Sequence, residues 1–263
     1  MTVLRTLPNE YSDAVGLAAV SVTTAEMDLH HTNSLAHWWR ADAGFDASAR
    51  RWLDRKALLP LGGASTEFPE IQTLAAYDGK PALVMPNGGE GQMTAVGALP
   101  TSGALTFVVV GRAGAGNNGV LVGSEAVASG AEGTLILHSN SNGSTKFQIE
   151  YPTNDRRNAT SPGWYYADGP NIFVGSHNPA ADEMALRINR GEYETTDMAG
   201  VSTANGNSTL TVGGAGPAGG SFGKMEGGDI AEIMIFTVAL HQDATLLAAV
   251  EAYLGDRYGI AAP

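Results

Sequence analysis

Between Leu35 and Phe236 short apolar runs recur, each closed by a cluster of Gly, Asn, Ser or Pro, and that rhythm confines the chain to folds made of many short strands. Strands are predicted near Ala36–Arg40, Ala82–Met85, Leu105–Gly111, Val120–Gly123, Thr134–His138, Lys146–Glu150, Asn171–Gly175, Met184–Asn189, Thr209–Val212 and Asp229–Phe236. In Lys146-Phe147-Gln148-Ile149-Glu150 the apolar side chains alternate, so they share one face of a strand and the polar ones share the other. The separators, such as Gly114–Gly119, Ser139–Ser144 and Gly213–Gly220, supply the positive φ that tight turns need. A content of 43% hydrophobic residues over 263 positions suffices for one large core. A single helix is expected near the C-terminus, where Leu246, Leu247, Val250, Tyr253 and Leu254 fall on one face. Asp243 is placed to cap its start and Gly255 to cap its end.

Residues 1–34 are poor in glycine and break this rhythm, with Val15, Leu17, Val20 and Val22 set among small polar residues. The reading is an N-terminal arm over 1–34, for docking or oligomerisation, followed by one sandwich domain over 35–263. Arg5 is followed by Glu10, Asp13, Glu26 and Asp28, which is not the basic start of a signal peptide, and none is recognised. No apolar run reaches the length of a membrane span.

Charge and cysteine usage exclude several function classes. The net charge of −12 repels a polyanion, since nucleic-acid binding relies on Lys and Arg to neutralise phosphates. The same charge serves solubility. With no cysteine, the chain has no disulfides, thiolate zinc sites or thiol nucleophiles.

Four stretches resemble the concanavalin A-like, laminin-G-like jelly rolls of bacterial and phage surface proteins. They are Trp38-Trp39-Arg40-Ala41-Asp42-Ala43-Gly44 with Trp52-Leu53-Asp54-Arg55; Leu105-Thr106-Phe107-Val108-Val109-Val110; Met184 through Gly191; and Gly228 through Phe236 leading to the helix that ends at Tyr253-Leu254. The resemblance covers roughly residues 35–260, and the closing stretch is its most specific part. It implies an all-β, antiparallel jelly-roll sandwich with one C-terminal helix. The superfamily holds lectins, adhesion domains, glucanases and virion parts, so function must be argued from a site.

The strongest local signal for such a site is Trp164-Tyr165-Tyr166, shortly after Arg156 and Asn158. Aromatic faces stack on sugar rings, and Arg or Asn can hydrogen-bond the hydroxyls; the same aromatics can equally pack in a core or an interface. Asp42, Asp46 and Asp54 are weak calcium candidates, because calcium takes carboxylate and carbonyl oxygens from loops, while Asp54 can equally anchor a turn. No cofactor is expected, with calcium the one possibility. His30, His31 and His37 cluster in sequence, with Asp28 the nearby carboxylate. Gly114-Ala115-Gly116-Asn117-Asn118-Gly119 has the spacing of a dinucleotide loop, but the residues after it read as a strand where that site needs a helix. Gly219-Gly220-Ser221-Phe222-Gly223 has the GxSxG spacing without the strand–helix flanks of a nucleophile elbow. Glu226, Asp229 and Glu232 are spaced by three, which on a regular strand sends successive members to opposite faces, unlike a glycosidase pair.

The function expected is a non-enzymatic virion structural, decoration or adhesion protein. Its sandwich would face outward from a virion or extracellular surface, residues 1–34 would anchor it to other assembly proteins, its charge would keep it from nucleic acid, and it would form a homo-oligomer. The alternative is a free-standing carbohydrate-binding, lectin-like module that meets a cell-surface glycan. A glycoside hydrolase ranks below both.

Overall fold

The computed structural model describes residues 23–63, 67–87, 91–112, 119–124, 134–140, 144–150, 156–162, 169–199, 207–214 and 225–261. All ten predicted strands are present within a residue or three of their expected bounds. Two antiparallel sheets stack face to face, which makes the chain an all-β sandwich.

The first sheet has the order β15-β14-β13-β8-β17-β6-β5. Its strands are β5 Glu70–Leu74, β6 Lys80–Val84, β8 Leu105–Arg112, β13 Asn171–Asn178, β14 Glu183–Ile188, β15 Glu194–Asp197 and β17 Asp229–Phe236. β17 pairs along its length with β8, while its other edge is shared by β6 at Asp229–Ile230 and by β1, Leu35–Arg40, from Glu232 onward. The second sheet has the order β12-β11-β10-β9-β16-β7-β4-β3-β2. It comprises β2 Phe45–Asp46, β3 Arg51–Leu53, β4 Pro60–Gly63, β7 Met93–Ala95, β9 Gly119–Ser124, β10 Thr134–Asn140, β11 Ser144–Glu150, β12 Arg156–Pro162 and β16 Leu210–Val212. The short or polar strands β2, β3, β4, β5, β7, β12 and β15 carry too little apolar periodicity to be read from the sequence.

Alternation sorts the apolar side chains into two cores. Trp39, Phe107, Val109, Leu137, Phe147, Ile149, Phe173, Ile233 and Ile235 fill the space between the sheets. Trp38, Val108, Val110, Ile172, Val174, Met234 and Phe236 point outward from the first sheet and are covered by α2, Ala244–Tyr258, through Leu247, Val250, Tyr253, Leu254 and Tyr258. The adjacent Trp38 and Trp39 thus belong to different cores, as the period of two requires.

Asp243 caps α2 as expected, accepting a bond from the Leu246 amide. Gly255 does not end it. The helix runs a further turn to Gly259, whose φ of +66° makes the C-cap. Gly255 has another reason to lack a side chain: a Cβ there would sit 2.4 Å from Arg190 Nη2, which donates to the Glu251 carbonyl.

The described end of the arm folds onto the sandwich. Helix α1, Thr24–His31, starts at Thr23, whose hydroxyl accepts from the Glu26 amide, and it buries Leu29 in the core under α2. Residues 1–22 lie outside the described residues.

Candidate functional site

The expected glycan-binding residues divide between described and undescribed parts of the chain. Trp164, Tyr165 and Tyr166 lie outside the described residues. Arg156 is the first residue of β12, in register with Glu150, and its side chain is likewise outside them. Asn158 is described. Its neighbour Ala159 points into the core between the sheets, so Asn158 points to the opposite face. There it stands beside Gln148 of β11, one row from the Lys146–Thr160 pair. Phe147 and Ile149 face the core, which puts Lys146 and Gln148 on this same outer face. The result is a small surface of amide, hydroxyl and ammonium groups. It is sheltered: Gln148 is 5% exposed, and Lys146, Asn158 and Thr160 are half-buried. The Asn158 Oδ1 atom is buried and has no hydrogen-bond partner. An acceptor shielded from water and left unbonded costs about 1–3 kcal/mol.

The three calcium candidates are each already engaged. Asp42 bridges Arg40 Nε and Arg257 Nη2. Asp46 accepts from Ser48 Oγ at 2.7 Å and the Ala49 amide at 3.0 Å. Asp54 is fully buried and accepts from the Trp38 and Lys56 amides at 2.8 and 2.7 Å, with His37 Nδ1 at 2.6 Å from its other oxygen. Asp54 therefore anchors the turn between β3 and β4. His30 contacts the Arg55 carbonyl and His37 is taken by Asp54. Among the described residues no group of three His, Asp or Glu side chains could hold a metal ion.

The acids of β17 depart from the sequence reading. Asp229 and Glu232 share one face, because a bulge at Ala231 inserts an extra residue against β8. Their roles are structural. Glu232 is fully buried and accepts from Trp38 Nε1 at 2.5 Å and Tyr258 Oη at 2.6 Å, with Arg257 Nε at 3.5 Å. Burial pushes its carboxyl above the ordinary value against the pull of Arg40 and Arg257. Asp229 accepts from Arg112 Nη2 at 2.5 Å and from the Tyr77 hydroxyl. Glu226 precedes the strand. The residues after Gly119 form β9, so no helix follows that glycine run; Gly219–Gly223 lies outside the described residues.

One arrangement had no sequence signal at all. Ser176 Oγ lies 2.7 Å from His241 Nδ1, and His241 Nε2 lies 3.1 Å from Glu183 Oε2. These are the residue types of a hydrolytic triad. However, Ser176 is fully buried and also bonds Thr106 Oγ1 at 2.9 Å, so its hydroxyl cannot reach a substrate carbonyl. The array ties β13 and β14 to the turn that precedes α2.

No family model and no curated protein sequence matches this chain. Among solved structures the fold is shared with toxin binding domains. The binding domain of botulinum neurotoxin DC, in complex with rat synaptotagmin II, overlays with a TM-score of 0.56 at 11% identity, over 83% of this chain and 52% of that one. The same binding domain in complex with SialylT gives 0.54 at 11% identity, with coverage of 83% and 52%. A structure of botulinum neurotoxin type C, whose cell entry is dependent upon interaction with two ganglioside molecules, gives 0.58 at 10% identity, with coverage of 85% and 52%. The chain thus spans about half the length of these neighbours. At such identities the likeness establishes the sandwich fold.

Proposed function

We propose that this chain is a carbohydrate-binding, lectin-like module of the concanavalin A-like type, and not an enzyme. One observation carries the reading: Lys146, Asn158 and Thr160, all partly exposed, form a polar face across β11 and β12. Sugar hydroxyls are matched donors and acceptors, suited to a face of amides, a hydroxyl and an ammonium group. Trp164, Tyr165 and Tyr166 begin two residues after β12 ends, close enough in the chain to supply a stacking surface beside it. Support also comes from the neighbours: one enters cells through interaction with two ganglioside molecules and another is seen in complex with SialylT, although this chain spans only half of each.

The virion-decoration reading has less behind it. The structures overlaid above are botulinum neurotoxin proteins, and residues 24–31 of the arm fold back on the sandwich.

The test is a glycan array read with the unaltered protein, Trp164→Ala and Asn158→Ala. Binding by the unaltered protein, weakened about tenfold in each variant, is expected; that is a loss of about 1.4 kcal/mol. A blank array, or binding indifferent to both substitutions, would remove the proposal.

A further inference from the structure

Natural sheets cover, shorten or charge their edges, because an open row of N–H and C=O groups recruits another strand. Three of the edges here follow that rule. β2 is two residues long. β15 exposes Glu194 and Asp197, and its Thr196 hydroxyl bonds the Asn158 carbonyl of β12 at 2.6 Å. That contact brings the edges of β12 and β15 together. The outer side of β1 meets the β3–β4 turn, where the Arg55 amide donates to the Trp38 carbonyl at 2.7 Å.

β5 is the exception among the described residues. Glu70, Ile71, Gln72 and Thr73 are all exposed, with Ile71 at 38%. Its one sheet partner is β6. The direction of its backbone groups follows from the register. The Met85 amide donates to the Gly228 carbonyl, so the odd residues of β6 turn toward β17 and the even ones toward β5. Pro81, which lacks an N–H, fits an odd position. Glu70, Gln72 and Leu74 therefore bond to β6, while Ile71 and Thr73 aim their N–H and C=O groups outward.

We infer that β5 is a self-association edge, and that its occupant is β5 of a second copy of this chain, antiparallel about a two-fold axis through Gln72. This register sets Ile71 opposite the partner's Thr73 and Thr73 opposite the partner's Ile71. All four outward groups of each copy are then bonded, and β-branched side chains face each other across the strands. Glu70 falls opposite the partner's Leu74. The two glutamates stand about 13 Å apart along the strands at 3.3 Å per residue, beyond the screening length of about 8 Å. The edge is complementary to itself in hydrogen bonding, and the register keeps its one acidic side chain clear of the partner's. The inference does not depend on what the sandwich binds; a dimer would carry two copies of any binding face.

Gln72 supplies the direct probe, since the chain contains no cysteine. Across the axis it forms a non-hydrogen-bonded pair with Cα atoms about 4.5 Å apart, within disulfide range. Gln72→Cys should cross-link into a covalent dimer under mild oxidation, much faster than Val96→Cys, a control at a residue 76% exposed. Light scattering on the unaltered protein should give twice the chain mass. Thr73→Pro removes an outward N–H without touching the ladder to β6, so it should return the mass to that of one chain with the thermal transition unchanged. A single-chain mass for the unaltered protein, a dimer that survives Thr73→Pro, or equal cross-linking of the two cysteine variants would overturn the inference.

Discussion

Buried charges that hold α1 and α2 are the residues on which stability most depends. Glu26, 3% exposed, lies 2.6 Å from both Arg40 Nη1 and Arg55 Nη2. Burial alone would raise its carboxyl; the two guanidiniums outweigh that and hold it below the ordinary value. Asp42 is lowered by the same opposition, burial against Arg40 and Arg257. Removing one partner strands the other in the interior, so Glu26→Ala should destabilise the fold by about 3–5 kcal/mol in urea unfolding at neutral pH. Acid has two opposed effects. Glu26 and Asp42 have folded values below their unfolded ones, so their contribution is present above about pH 4.5 and is lost as pH falls through the depressed values. Glu232 has a folded value above its unfolded one, so its contribution grows as pH falls through that raised value. Unfolding free energy should therefore rise as pH falls through the raised Glu232 value and drop as it falls on through the depressed values of Glu26 and Asp42. Burial raises the Glu251 carboxyl as well, so Glu232→Gln, which keeps the shape and carries no charge, should reduce the rise and leave the drop. A flat profile in the unaltered protein would refute this account.

At the scale of elements, a glycine faces a phenylalanine where the two sheets pack together. An ideal Cβ on Gly175 of β13 would lie 2.6 Å from Phe147 Cδ2 of β11, and Phe147 is itself held edge-on against Phe107 at 5.9 Å. Gly175→Ala should cost about 1–3 kcal/mol by overpacking, and adding Phe147→Leu should recover part of it; a double-mutant cycle with no coupling would refute the contact. On the other side of the first sheet, the β3–β4 turn clamps α1. Lys56 Nζ donates to the His30 and Thr32 carbonyls at 3.0 and 2.5 Å, at the negative end of the helix, and burial lowers its amine from the ordinary value. The guanidinium of Arg55 reaches Glu26 and lies 4.8 Å from the Trp38 ring centroid.

For the whole molecule, helix α1 ties the described end of the arm to the sandwich. Deleting residues 1–34 removes Glu26 and Leu29, leaves Arg40 and Arg55 without that carboxylate, and should lower the melting temperature by several degrees. Calorimetry on the truncated chain checks this, and an unchanged melting temperature would show that α1 does not brace the sandwich.

The ten stronger strands, the C-terminal helix and its Asp243 cap are legible in the chain because period and capping are local: each is written in residues within about one turn or one strand of each other. The weaker strands such as β5 and β12 are paired by neighbours, not by their own apolar pattern. Whether Gly255 ends α2 depended on Arg190 and on the remaining turn to Gly259. That Asp229 and Glu232 share a face was decided by a bulge that exists only against β8. The grouping of Glu26, Arg40, Asp42, Arg257 and Glu232, the unbonded Asn158 amide oxygen and the open edge of β5 arise from packing between residues far apart in the chain. Sequence alone determined which segments become strands and which becomes the long helix. Tertiary structure decided what each side chain meets, because partners brought together across the sheets leave no trace in local periodicity.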